Sequence, residues 1–206
     1  MKRISSLTFL LLVLTVQGCA TLSKSECRKA DWQIIGLEDG SAGRPVSYIS
    51  RHRKSCAEHG VKPDLDQYQR GHADGIVLFC TPRKAFELGN AGRSHQDVCP
   101  VDLRDAFRAA YADGQEVYAA RKALNEAKNQ VKSAQAELEA VSEDIVSLEA
   151  QLVSGGGTAE QRQGWLDETK RLQREQEQLQ ESLHDLEHEV TALQSEYEYL
   201  SSRFEY

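Results

Sequence analysis

The sequence predicts an all-α protein: a small disulfide-stapled helical domain followed by a long antiparallel coiled-coil hairpin. Three observations predict it. Apolar residues recur every seven positions through most of the second half of the chain. The first half repeats a short pattern of an aromatic residue, a small residue and Asp-Gly at helical spacing. Four cysteines lie in that first half, an even number behind an N-terminus that reads as an export signal.

The chain starts Met1-Lys2-Arg3 and continues with the apolar run "LTFLLLVLTV", 7–16. Ten residues are too few to cross a bilayer as a helix, which needs about 20. A charged start, a short apolar middle and small residues after it read as a secretory signal over 1–18. The next residues, "VQGC", resemble the bacterial lipobox. That resemblance implies cleavage before Cys19, a thioether-linked diacylglyceryl group on its sulfur and acylation of the new N-terminus. Two or more acyl chains hold a protein on a membrane, each buried methylene contributing about 0.8 kcal/mol. In lipoproteins with this motif an Asp after the cysteine favours the inner membrane, so Ala20 resembles an outer-membrane address facing the periplasm. Residues 19–25 then read as a lipid-anchored linker.

Residues 26–117 read as a compact helical domain. Cys27, Cys56, Cys80 and Cys99 are separated by 29, 24 and 19 positions. Zinc sites bring cysteines in close pairs, so disulfides are favoured over a metal site built from all four thiolates. The first helix is expected at about 25–40. The second runs over about 45–58, with Pro45 at its start and Gly60 beyond its end. Asp64 caps the third. Thr81 precedes Pro82 at the start of the fourth, and the last begins near Val101. If the first two form a hairpin turning near residue 42, Cys27 lies beside Cys56. Cys80 and Cys99 bracket the fourth. The expected pairs are therefore Cys27–Cys56 and Cys80–Cys99, each worth about 3 kcal/mol on the loop-entropy model.

The repeat within this domain reads "WQIIGLEDG" (32–40), "YQRGHADG" (68–75) and "FRAAYADG" (107–114), with a degenerate copy "FELGNAGR" (86–93). Gly36/Gly40, Gly71/Gly75 and Ala110/Gly114 are i, i+4 pairs on one helix face. Such pairs permit close approach of two helix backbones; alternatively each Asp-Gly ends a helix. Asp39, Asp74 and Asp113 are the acids of the motif. No nucleophile elbow, metal-binding H-E-x-x-H, phosphate loop or cysteine–histidine pair accompanies them, so the domain reads as having no catalytic residues, no metal and no cofactor.

Residues 118–206 read as the hairpin. Val117, Leu124, Val131, Leu138, Ile145 and Leu152 form one seam position, with Ala120, Ala127, Ala134, Val141 and Leu148 as the other. Gly155-Gly156-Gly157 breaks the helix, with a turn expected near 153–164. A second seam follows: Trp165, Leu172, Leu179, Leu186, Leu193 and Leu200. Thr169 and Gln176 weaken it near the tip. Small residues on the first arm face Val190, Tyr197 and Phe204 on the second, as close packing requires. The aromatics of the C-terminus are placed to dock on the first domain. The alternative is that each arm pairs with another chain. His184 and His188 sit one turn apart off the seam, beside Glu181 and Asp185, a spacing that can bind a metal but that on this strongly charged helix reads as a solvated face.

Residues 19–116 carry 14 basic and 14 acidic residues, and 117–206 carry 9 and 18. No part is strongly basic, which argues against nucleic acid as a partner. The run Arg51-His52-Arg53-Lys54 reads as a solvated helix face, with a lipid-headgroup or polyanion contact as the alternative.

The segments "CRKADWQIIGLEDGSAGRP", "RHRKSCAEHGVKPDLDQYQRGHADG", "FCTPRKAFELGNAG" and "VCPVDLRDAFRAAYADGQEVY" resemble a family of bacterial envelope lipoproteins known as domain of unknown function 2799. They cover about residues 27–118. The sequence departs from the family at "RSHQDVCP" and at Phe79, a slot more often held by Tyr. The resemblance implies an envelope location and a helical domain and implies no activity. The expected function is a non-enzymatic lipoprotein of structural or protein-interaction role. It would be attached to the membrane through its N-terminal lipid, with a protein partner or self-association through the coiled coil. A peptidoglycan- or glycan-binding module and, further off, an envelope hydrolase are the alternatives.

Overall fold

The structure, a computed structural model, describes residues 21–204 and 206. The signal segment expected over 1–18 and the lipidation expected at Cys19 fall outside the described residues. Those residues form seven α-helices, one short 3-10 turn and no strand, which is the all-α class expected. None of the helices is long and apolar enough to cross a membrane.

The chain divides into two compact units. One holds residues up to Cys80 together with Gln96–Pro100, the other Thr81–His95 with Val101–Tyr206. The boundary expected at 117/118 falls inside a continuous helix, because nothing between Val101 and Val153 breaks the helical pattern.

In the first unit, α1 (Lys24–Lys29) opens on a capping box between Ser23 and Glu26. The single helix expected over 25–40 is two helices. Ala30 turns extended, and the Asp31 carboxylate takes the amides of Gln33 and Ile34, starting α2 (Trp32–Ser41). Pro45 leads into a 3-10 turn (Val46–Tyr48), then α3 (Ile49–Ala57), so the second helix starts later than expected. Asp64 caps α4 (Leu65–Phe79) as expected. The expected disulfides Cys27–Cys56 and Cys80–Cys99 are both present. The route differs: α2 packs on α4, not on α3, and it is the short α1 that carries Cys27 to Cys56. Cys27, Cys56, Trp32 and Tyr68 form the core, flanked by Leu22, Ile35, Ile49 and Val61.

In the second unit, Thr81 caps α5 (Pro82–Asn90), with Pro82 in its first turn. Helix α6 (Val101–Val153) and α7 (Ala159–Arg203) pair antiparallel within the chain, as expected for the hairpin. The turn is shorter than expected, because a Thr158–Gln161 capping box restarts the helix at once and leaves Gly164 inside α7. Val117, Ala120, Leu124, Ala127, Val141, Ile145 and Leu172 are buried along the seam. Its polar positions are satisfied: the Thr169 hydroxyl donates to the Trp165 carbonyl (2.8 Å) and the Gln176 amide to the Ser142 hydroxyl (2.9 Å). Phe204 and Tyr206 return to Phe86 of α5, with ring centroids 6.1 and 5.0 Å away.

The small-residue repeat is a packing device, not a set of helix ends. A Cβ on Gly36, Gly40, Gly71 or Gly75 would collide with backbone of the facing helix in the α2–α4 pair. Gly114 of α6 does the same against Phe86 and Asn90 of α5, and Ala110 is buried one turn before it. The copy at 86–93 aligns differently from the expectation. Gly89 meets Tyr111 and Gly114 as Gly40 meets His72 and Gly75, so "FELGNAGR" corresponds to "LEDGSAGR" (37–44). Gly43 and Gly92 end the two helices at φ of 70° and 64°, a conformation that favours glycine. Asp39 and Leu88 then accept the amides of Arg44 and Arg93 at 3.0 and 2.9 Å.

Candidate functional site

The sequence singles out three aspartates, and the structure separates them. Asp74 is exposed on α4. Asp113, on α6, accepts a hydrogen bond from the Tyr206 hydroxyl. Asp39, near the end of α2, is 2 % exposed and is the centre of a polar cluster.

Four elements supply the cluster. The α2 turn brings Arg44 back so that its guanidinium donates to Asp39 Oδ1 at 2.6 Å. From α4, the Tyr68 hydroxyl donates to Oδ2 at 2.7 Å. From α3, His52 Nε2 donates to the same oxygen at 2.8 Å. The other ring nitrogen, Nδ1, lies in hydrogen-bond contact with the Thr21 hydroxyl at 2.9 Å. Thr21 is held twice more, its amide donating to Ser55 Oγ at 3.1 Å and its hydroxyl 3.2 Å from the same atom. His72 Nε2 reaches the Arg44 carbonyl at 2.7 Å, fixing the turn from the other side. The Tyr48 ring meets the His52 ring edge-on, and Arg44 lies over it at 4.5 Å.

These contacts set the charge state. Burial by itself would raise the Asp39 carboxyl, but hydrogen bonds from His52, Tyr68 and Arg44 outweigh it and hold the group below the usual carboxylate range. The Tyr68 phenol is pushed up, first by burial and then by its bond to the Asp39 carboxylate. Desolvation pulls the Arg44 guanidinium down, but its bond to Asp39 carries it above its ordinary value. A hydroxyl, an imidazole and a carboxylate thus stand in line, Thr21–His52–Asp39. That order also occurs in nucleophilic triads. Here three donors share the Asp39 carboxylate and His52 is 3 % exposed, so the line lies inside the core. It ties residue 21 through the core to α2 and α4.

The repeat aromatics do not form a sugar-stacking surface. Trp32, Tyr68 and Phe107 are 6 %, 0 % and 1 % exposed. Sequence reasoning missed His52 and Tyr68 as partners of Asp39. His52 was hidden in a run of cations and Tyr68 in the general pattern of repeat aromatics. The available signal was local: where one copy of the repeat has Asp39 and Tyr68, the other has Leu88 and Phe107.

Residues 31–116 match the family model described as "Protein of unknown function (DUF2799)". No curated protein and no solved structure matches the chain.

Proposed function

We propose, from the premise that residues 31–116 are a domain of the DUF2799 family, that the chain is a lipid-anchored bacterial envelope protein whose first unit lies against the membrane surface. The observation that carries this is the clamp on Thr21, held by Ser55 and His52 of α3. Only Ala20 separates it from Cys19, the acylated position. Two extended residues span about 7 Å. A lipid on Cys19 therefore keeps α1 and α3 at the headgroup level, with no free linker between anchor and domain. The surfaces of these helices suit that place. Lys24, Arg28 and Lys29 of α1 and Arg51, Arg53 and Lys54 of α3 are all exposed, and the Cys27–Cys56 bridge holds the two helices together. Each such cation near an anionic lipid surface contributes about 1 kcal/mol. Beside them Leu22, Ala30, Ile34 and Ile35 line a shallow groove whose rim carries Glu26, Lys29, Asp31 and Glu38, an amphipathic surface of the kind that sits at a membrane interface.

In this reading the protein is not an enzyme. The Asp39 cluster is the strut that makes the anchor rigid, and the acidic hairpin is a spacer or an arm for a protein partner. The test is metabolic labelling with radioactive palmitate and envelope fractionation of the wild type and Cys19→Ser. Label and outer-membrane recovery in the wild type, both lost in Cys19→Ser, are expected. An unlabelled wild-type chain sinks the proposal.

A further inference from the structure

Two groups on the hairpin remain outside this account. His184 and His188 lie one turn apart on the exposed face of α7. Their Nε2 atoms are 3.2 Å apart while the ring centroids are 4.5 Å apart. The nitrogens are closer than the ring centres, so the two rings turn their Nε2 edges toward each other. In the metal-free protein one Nε2–H donates to the other Nε2. A metal ion can take the place of that proton and bond both nitrogens. Two metal–nitrogen bonds of about 2.1 Å at angles between about 90° and 109° put their nitrogens about 3.0–3.4 Å apart. The observed separation falls inside that window.

We infer that His184 and His188 form a two-imidazole chelate for a borderline divalent transition-metal ion, Cu²⁺ before Ni²⁺ or Zn²⁺. Imidazole donors select this class over hard cations, and the order follows the general affinity series for nitrogen ligands. Glu181 and Asp185 lie on the same helix face and add negative charge beside the pair. Among the described residues no cluster of three or more metal-ligating side chains occurs. The remaining coordination positions therefore go to water or to a donor from outside the chain. The helix holds the two rings at fixed spacing, so the ion binds the folded arm and not the unfolded one, and it stabilises the fold in proportion to its concentration.

The experiment is Cu²⁺ titration of the untagged chain by calorimetry, with electron paramagnetic resonance of the bound ion. One saturable site per chain, with a signature of two nitrogen ligands, is expected. His184→Ala and His188→Ala should each weaken it at least tenfold and leave at most one nitrogen. Both changes sit on an exposed helix face and place Ala, the best helix former, so circular dichroism should stay unchanged. Wild type and variants that bind Cu²⁺ alike overturn the inference, as does the absence of a saturable site. Displacement of Cu²⁺ by millimolar Ca²⁺ also overturns it, because that would assign the ion to the carboxylates.

Discussion

The α2–α4 pair and the α5–α6 pair are two solutions to one packing problem. Gly40, Gly43 and Gly75 do in the first what Gly89, Gly92 and Gly114 do in the second. Even the brace on the turn is matched: His72 reaches the Arg44 carbonyl, and the Tyr111 hydroxyl donates to the Arg93 carbonyl. The pairs differ at two levels. One turn away from the shared crossing, Gly36 and Gly71 of the first correspond to Ala85 and Ala110 of the second, both fully buried. Beside it, Asp39 and Tyr68 of the first correspond to Leu88 and Phe107. Beyond the backbone crossing they share, the first pair adds a second close glycine contact and a buried carboxylate, the second adds apolar side-chain packing. The shared part is what the fold requires, and the part that differs is what ties Thr21 in place.

The largest expected effect tests the closer crossing. Gly71→Ala would drive a methyl into the Gln33 backbone, which has no side-chain freedom to yield. Overpacking commonly costs 1–3 kcal/mol, and a clash with backbone on both sides should reach or exceed about 3 kcal/mol. The mirror change, Ala110→Gly, removes a methyl from α6 and should cost only about 1 kcal/mol. Denaturant melts of the two variants compare the pairs directly. If Gly71→Ala proves as mild as Ala110→Gly, the two crossings are equally close and the distinction disappears.

The second effect concerns the carboxylate. Breaking a buried charge cluster costs upward of about 3 kcal/mol, and because Asn keeps the size and one acceptor oxygen of Asp39, Asp39→Asn should lie at that lower end at neutral pH. The folded Asp39 carboxyl is held low, while the unfolded group titrates near the ordinary value of about 3.9. Its contribution is thus fully present above that value and is lost as pH falls through the lower folded one. The stability gap between wild type and Asp39→Asn should be flat at neutral pH and narrow below about pH 4. Asp39→Leu with Tyr68→Phe copies the second pair into the first. It should be milder than Asp39→Leu alone, since one fewer buried hydroxyl is left without an acceptor. A double variant that is additive would show Tyr68 to be independent of Asp39.

This comparison also marks what could be read from the amino acids. The heptads, the hairpin and the caps at Asp64 and Thr81 were legible because each depends on local spacing, whereas the Cys27–Cys56 pair was expected from a packing of the first two helices that the fold does not use. The break at Ala30 was not, since it turns on the Asp31 side chain capturing two amides within a sequence that otherwise suits a helix. The pairing of α2 with α4 was hidden for a different reason. A glycine pair announces a close crossing without naming its partner, and the neighbour in sequence was the natural choice. The Asp39 cluster draws on residues 21, 44, 52 and 68, a separation no periodicity records. Its only trace was the loss of the acid and of the phenol together in the second copy.

The smallest effect lies at the chain end of the second pair, where a polar contact was added after all. The Tyr206 hydroxyl donates to Asp113, and that bond, aided by slight burial, pushes the phenol up to about 12. The side chain is 44 % exposed, so Tyr206→Phe should cost less than about 1 kcal/mol at neutral pH. The sign differs from that of Asp39. The folded phenol titrates above the unfolded one, so its contribution is complete below about pH 10 and disappears as pH rises toward the folded value. Ultraviolet titration should find a late-ionising tyrosine near about 12 in the wild type that Tyr206→Phe removes. Tyr68 rises as well, but its phenol is sealed in the core and ionises only as the first unit opens. Two late tyrosines, one lost with the surface contact and one with unfolding, would separate the half-buried acid of the second pair from the buried acid of the first.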